Sequence, residues 1–111
     1  MTASPEMLRV AAMRNGRIWT GIVCVDGDPF SWETGLRRLE VVCLPGNGCS
    51  YAEARLSDQG KQPEEVKRLS FNQNNTVGEF LVRVYRTEIS SSQAHEDFLS
   101  QVEPAKPQGM A

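Results

Sequence analysis

The clearest alternation of apolar and polar positions lies in residues 78–88. Its two faces carry Phe80, Val82 and Val84 on one side and Leu81, Arg83 and Tyr85 on the other. A period of two with β-branched and aromatic residues predicts a strand with one buried face. We expect the rest of the chain to be organised around this strand.

Two apolar segments, residues 8–13 and 18–25, flank Asn15-Gly16. This dipeptide is favoured in the type I′ turn of a hairpin because both central residues need a positive φ. The register of the predicted hairpin pairs Ala12 with Trp19, Val10 with Gly21 and Leu8 with Val23. Gly21 would then leave room for the Trp19 ring or mark a bulge.

A second hairpin is predicted from residues 36–44 and 50–56, which flank the turn residues 45–48. A turn there puts the apolar residues of both strands on one face, namely Leu39, Val41, Cys43, Ala52, Ala54 and Leu56. A cross-strand disulfide between Cys43 and Cys49 would shift the register by one and turn polar residues inward, so the pattern argues against it.

The third predicted hairpin joins residues 69–73 to the strand at 78–88 through Asn74-Asn75, since asparagine tolerates left-handed φ. It would pair Leu69 with Phe80. Residues 64–68 are predicted as one helical turn or as the approach to a strand, and residues 26–35 as the longest loop of the first half.

The C-terminal pattern predicts a helix over residues 91–103. Ser90 and Gln93 have the spacing of a capping box. An apolar stripe at helical spacing follows and stops before Pro104, and it consists of Ala94, Phe98, Leu99 and Val102.

These elements predict a mainly β (α+β) domain of about six antiparallel strands in three hairpins, forming a barrel or a sandwich closed by the helix. In outline this layout resembles pleckstrin-homology-type barrels, with one strand fewer and without a helix tryptophan. The likeness implies a fold only. We expect one domain over residues 7–103, with residues 1–6 and 104–111 disordered.

Composition excludes several classes of protein. Twelve basic and 14 acidic residues give a net charge of −2, which disfavours a nucleic-acid binder. No run approaches the roughly 20 apolar residues of a membrane span, and residues 1–5 lack a signal-peptide pattern. Three cysteines without an export signal suggest reduced thiols in the cytoplasm.

The predicted loop at 26–35 supplies the first candidate site. Phe30 and Trp32 could anchor a partner, flanked by Arg37 and Arg38. The alternative is that the rings fold over the core. Substituting Trp32 by Ala distinguishes an exposed partner anchor from a core residue. The acidic residues of the same region, Asp26, Asp28 and Glu33, form a weak calcium candidate without the spacing of an EF-hand.

A second candidate surface is the outer row Leu81, Arg83 and Tyr85. Ile22 is predicted on the same outer face, which would be a partner surface if Tyr85, Leu81 and Ile22 are exposed together. The strand arginines lie mostly on outward faces with Glu40 and Glu53 between them. This interleaving favours a solvated, ion-paired face over a continuous basic one. The single histidine, His95, has no nucleophile or orienting carboxylate in a recognisable arrangement. The cysteines lack zinc spacing and no glycine-rich phosphate loop occurs.

We therefore expect a non-catalytic protein–protein interaction or adaptor module without a cofactor, whose partner is another protein. Two alternatives stay open. One is a structural subunit of a larger assembly, formed by self-association. The other is a small ligand-binding protein or hydrolase that uses His95 or the Asp26/Asp28 loop.

Overall fold

The computed structural model describes residues 7–25, 29–44, 51–58 and 61–102, and these form eight strands and one helix. The strands are β1 (Met7–Arg14), β2 (Arg17–Cys24), β3 (Phe30–Thr34), β4 (Arg37–Leu44), β5 (Tyr51–Asp58), β6 (Glu65–Leu69), β7 (Asn75–Val77) and β8 (Phe80–Tyr85), and the helix is α1 (Ser91–Val102). The prediction of a mainly β domain with a C-terminal helix is confirmed.

The strands form two antiparallel sheets of four. The first sheet has the order β2-β1-β8-β7 and the second has the order β3-β4-β5-β6. Sheet neighbours are also chain neighbours, except that β8 returns to pair with β1. The sheets face one another as a sandwich and do not close into a barrel, so the barrel alternative and the count of six strands are wrong.

The core lies between the two sheets, where the period-two pattern points apolar side chains inward. Its buried residues are Leu8, Val10, Ala12, Val23, Val77, Phe80, Val82 and Val84 from the first sheet, and Trp32, Leu39, Val41, Cys43, Ala52, Ala54, Leu56 and Leu69 from the second. The predicted inner face of the strand at 78–88 is therefore confirmed.

The first two predicted hairpins have the expected registers. Asn15 and Gly16 have φ values of 54° and 79°, and Ala12, Val10 and Leu8 lie opposite Trp19, Gly21 and Val23. In the second hairpin Leu39, Val41 and Cys43 lie opposite Leu56, Ala54 and Ala52. The face parity from which we argued against a disulfide is thus observed, while Cys49 itself lies outside the described residues.

Part of the predicted loop at 26–35 is a strand, and the prediction is wrong there. β3 pairs with β4, with Phe30 opposite Val41 and Trp32 opposite Leu39. Gly35 provides the positive φ of 62° that the turn into β4 needs. Asp, Gly and Pro between residues 26 and 29 concealed a strand that alternates for only five residues.

The third predicted hairpin is also wrong. Leu69 belongs to β6 and pairs with Ala52, whereas β8 turns back on β7 at Gly78, whose φ is 56°. Asn75 does not form a turn. It begins β7, and its side-chain amide is buried. Its Nδ2 donates to the carbonyl oxygens of Ser70, Gln73 and Val82, and its Oδ1 accepts from the amide of Ser70.

The helix begins at Ser91 and covers part of the outer face of the first sheet. Ala94 and Phe98 are fully buried against Ala11 and Tyr85. The one helix of the described residues, α1, is not long and apolar enough to cross a membrane. The predictions of disordered ends, residues 1–6 and 104–111, lie outside the described residues.

Candidate functional site

α1 covers only part of the outer face of the first sheet. Outward positions alternate along β1 and β2, so Ala11 and Thr20 form one row and Arg9 and Ile22 form the next. The helix packs on the row of Ala11, whereas Ile22 remains exposed. The N-terminal end of the helix therefore rises above the uncovered end of the sheet, and the surface changes height at this boundary. We call this change in height the step.

The start of the helix beside this uncovered end is fixed by residues 90–93. The Ser90 hydroxyl accepts a hydrogen bond from the amide of Gln93 at 3.1 Å, and the Gln93 side chain accepts one from the amide of Ser90 at 3.2 Å. This is the predicted capping box, and it satisfies two amides at the helix start. The hydroxyls of Ser91 and Thr20 lie 2.6 Å apart and join the helix start to β2.

The step is the wall of a shallow groove of about 410 Å³ between β1, β2 and the segment that leads into α1. We call it the helix-start groove, and it is lined by Met7, Arg9, Ile22, Thr87, Glu88, Ile89, Ser90 and Gln93. Two of these residues are large exposed hydrophobics, since Met7 is 52% and Ile22 is 39% exposed.

Arg9 supplies the positive charge of this groove. It is half-buried, and its Nε donates a hydrogen bond of 3.3 Å to the carbonyl oxygen of Ile89. No carboxylate of the described residues pairs with its guanidinium group. Glu88, the acidic residue of the lining, is exposed and pairs with no arginine among the described residues.

The residues predicted as catalytic or metal-binding candidates do not come together in the described part of the chain. His95 lies exposed on α1. No three His, Cys, Asp or Glu side chains of the described part of the chain group as metal ligands. Glu33 is exposed on β3, and the other two members of the calcium candidate, Asp26 and Asp28, lie outside the described residues.

The two aromatic candidates lie at the core. Trp32 is 9% exposed, and Phe30 is half-buried and packs against the same core. Their ring centroids lie 3.9 Å apart at an interplanar angle of 72°. The Phe30 ring also fills the space over Gly21, where an added Cβ would lie 2.1 Å from Cε1 of Phe30. Gly21 therefore makes room for Phe30, not for Trp19.

Arg37 and Arg38 point away from one another. Arg37 is the centre of an ion network with Asp58 at 2.8 Å, Glu64 at 3.1 Å and Glu79 at 2.8 Å. Hydrogen bonds from Arg37 hold the pKa of Glu79 below its usual value, against a smaller effect of burial. Arg38 lies on the outer face of the second sheet, 3.5 Å from Glu40.

The outer face of the second sheet is ion-paired, as the interleaved glutamates predicted. Glu53 and Arg55 lie 2.9 Å apart, and the guanidinium of Arg68 lies 3.8 Å from the centroid of the Tyr51 ring. Such exposed pairs contribute little to stability, typically below about 1 kcal/mol each. This face is therefore charged and largely ion-paired, although Nε of Arg38 is buried without a hydrogen-bond partner among the described residues.

The row Leu81, Arg83 and Tyr85 lies at the helix. Tyr85 is 4% exposed, and Leu81 is half-buried at the edge of the same cluster. The Tyr85 hydroxyl donates to Asp97 at 2.7 Å, and burial together with this carboxylate raises the pKa of Tyr85. Arg83 donates to Oδ1 of Asn74 at 3.0 Å.

The seven residues predicted to bind a partner thus do not form one site, and their role in binding stays a prediction. Phe30 and Trp32 lie together at the core, Leu81, Arg83 and Tyr85 lie in one row at the helix, and Arg37 and Arg38 lie apart from both. The helix-start groove itself was not predicted as a site, although Ile22 was predicted to share an outer partner face with Leu81 and Tyr85. Ile22 gave the one visible signal, because it is an apolar residue at an outward position of the first hairpin. Ile22 lies close to Met7 and to residues 87–93 because of where the helix docks on the sheet.

Comparison with known proteins adds no relative to this description. The chain matches no protein-family model, and searches of curated proteins and of solved structures found no significant match.

Proposed function

We propose that this protein is a non-catalytic interaction module that binds a segment of a partner protein in the helix-start groove. The observation that carries the proposal is the exposure of Met7 and Ile22, diagonal neighbours on β1 and β2, in one concave site. Exposed apolar side chains with a polar rim are typical of interaction sites. Thr87, Glu88, Ser90 and Gln93 supply that rim.

The distribution of the other exposed hydrophobics supports this location. Among the described residues three more large apolar side chains are exposed, namely Leu36, Val66 and Leu99. None of them lines the groove. Leu36 lies in the turn before β4, Val66 on β6 and Leu99 on α1. Single exposed hydrophobics are ordinary, whereas a pair in a concave site is not.

The volume of the groove indicates what it can hold. Pockets of roughly 300–1,000 Å³ accommodate small ligands or a few side chains, and the helix-start groove lies in this range. A protein interface normally covers about 800 Å² per partner, so the groove would hold the anchoring residues of a larger contact. This fits a docking segment better than an enclosed substrate site.

A matched pair of variants tests the proposal. Ile22→Asp puts a charge into the groove, and Val66→Asp makes the same change on β6, on the far sheet. Both residues are β-branched, exposed and on strands, so each variant should keep its free energy of unfolding within about 0.5 kcal/mol of the parent. Each full-length protein is used for affinity capture from native lysate with mass-spectrometric readout.

We expect proteins captured by the parent and by Val66→Asp to be lost with Ile22→Asp. A set of captured proteins that is the same for all three proteins would contradict the proposal. Light scattering over a concentration series covers the assembly alternative. Self-association that Ile22→Asp abolishes would mean that the groove joins copies of this chain instead of binding a different protein.

A further inference from the structure

Arg9 differs from the other arginines of the described residues. Each of the others has an acidic partner or lies over an aromatic ring, and they are Arg14, Arg17, Arg37, Arg38, Arg55, Arg68, Arg83 and Arg86. Arg9 has neither kind of partner within the part of the chain that the structure describes. Its half-buried charge faces the helix-start groove.

The guanidinium of Arg9 is oriented by one hydrogen bond, which leaves its other donors available to a ligand. The hydrogen bond from Nε to the carbonyl oxygen of Ile89 orients the group, and its two Nη atoms make no hydrogen bond within the described residues. A planar guanidinium with two free amino groups matches the two oxygens of a carboxylate. The orientation through Nε reduces the side-chain entropy that such binding would cost.

The side chains around Arg9 limit the charge of the ligand. Met7, Ile22 and Ile89 provide an apolar wall, and Glu88 places one negative charge at the rim. A ligand with several negative charges would meet Glu88 without a second cation to offset the repulsion. A ligand with one carboxylate beside an apolar group satisfies both parts of the groove.

We propose that the helix-start groove selects a partner segment in which an aliphatic side chain lies next to a carboxylate. The aliphatic group packs on Met7 and Ile22, and the carboxylate pairs with Arg9. This inference depends on the proposed function, because it names the chemistry of the segment that the interaction module binds.

Two small probes test this chemistry directly on the full-length protein. N-acetyl-leucine carries an aliphatic side chain and a carboxylate, and N-acetyl-leucinamide carries the same side chain without the charge. Each is titrated into ¹⁵N-labelled protein while the backbone amides and the Arg9 Nε–H are followed by NMR. We expect N-acetyl-leucine to bind with a Kd in the millimolar range and to shift the signals of Arg9, Ile22 and residues 88–93.

The amide probe should bind roughly fivefold more weakly, which is the upper end for one partly exposed ion pair. Arg9→Gln should abolish this difference, whereas Arg17→Gln, which changes the net charge equally at an exposed site, should retain it. Arg9→Lys keeps the charge without the planar fork and should give an intermediate preference. Dispersion of the NMR spectrum verifies that each variant is folded.

Equal binding of the two probes, or shifts outside the groove, would overturn the inference. So would the absence of any shift with either probe. These outcomes are separable from failure of the proposed function, because capture that depends on Ile22 can persist without a preference for a carboxylate. Loss of the carboxylate preference with Arg17→Gln would likewise contradict the assignment to Arg9.

Discussion

The hydroxyl of Tyr85 on β8 donates a hydrogen bond of 2.7 Å to Oδ2 of Asp97 on α1. This contact joins the last strand of the first sheet to the helix that covers it. The Tyr85 ring is buried beneath the helix, and Phe98 lies in the same cluster. The docked helix in turn fixes the edge of the helix-start groove.

Removing the Tyr85 hydroxyl should weaken this docking. We expect Tyr85→Phe to lower the free energy of unfolding by about 1 kcal/mol, the typical net contribution of one hydrogen bond. Urea denaturation of Tyr85→Phe, Asp97→Ala and the double variant measures the coupling between the two residues. Strictly additive effects would show that the hydrogen bond contributes nothing.

Gly21 should not accept a side chain. A Cβ at this position would lie 2.1 Å from the Phe30 ring, so we expect Gly21→Ala to lower stability by about 1–3 kcal/mol through overpacking. The urea midpoint measures this change. In a Phe30→Ala background the clash is gone, and the same substitution should then cost little. An equal cost in both backgrounds would contradict the role assigned to Phe30.

Trp32→Ala distinguishes a core residue from an exposed partner anchor. Since Trp32 is 9% exposed, its truncation should lower stability by about 3–5 kcal/mol. Leu36→Ala is the control, because Leu36 is 73% exposed and should change stability by less than about 0.5 kcal/mol. Equal small effects in thermal or urea unfolding would show that Trp32 anchors partners from the surface instead.

The Arg37 network should make stability fall in acid. Because Arg37 lowers the pKa of Glu79 in the folded state, the pair stabilises the fold above the ordinary pKa of a glutamate carboxyl and loses this effect as the pH falls through the lowered pKa. The Glu79 side chain is 35% exposed, so we expect its ion pair with Arg37 to contribute no more than about 1 kcal/mol to the free energy of unfolding.

Urea unfolding of the parent and of Glu79→Gln at neutral and acid pH tests this expectation. The difference in stability between the two proteins should be present at neutral pH and vanish in acid. Glu33→Gln removes an exposed carboxylate with no ion pair in the described residues and is the control for the substitution itself. A constant difference for Glu79→Gln at all pH values would contradict the linkage.

The sequence determined the elements whose patterns are local. Asn15-Gly16 set the first hairpin because positive φ at two successive residues is a property of the turn itself. The alternation of apolar residues in the second hairpin set its register, since a shift by one would bury polar side chains. Ser90 and Gln93 likewise set the helix start, because a capping box needs no distant partner.

Only the tertiary structure decided the rest, because those choices depend on residues far apart in the chain. Phe30 could join a strand once β4 was beside it and Gly21 left space for its ring. Asn75 was buried instead of forming a turn because the backbone carbonyls of Ser70, Gln73 and Val82 surround its amide. The helix-start groove exists because α1 docks over Ala11 and leaves Ile22 uncovered at its N-terminal end, which no local pattern records.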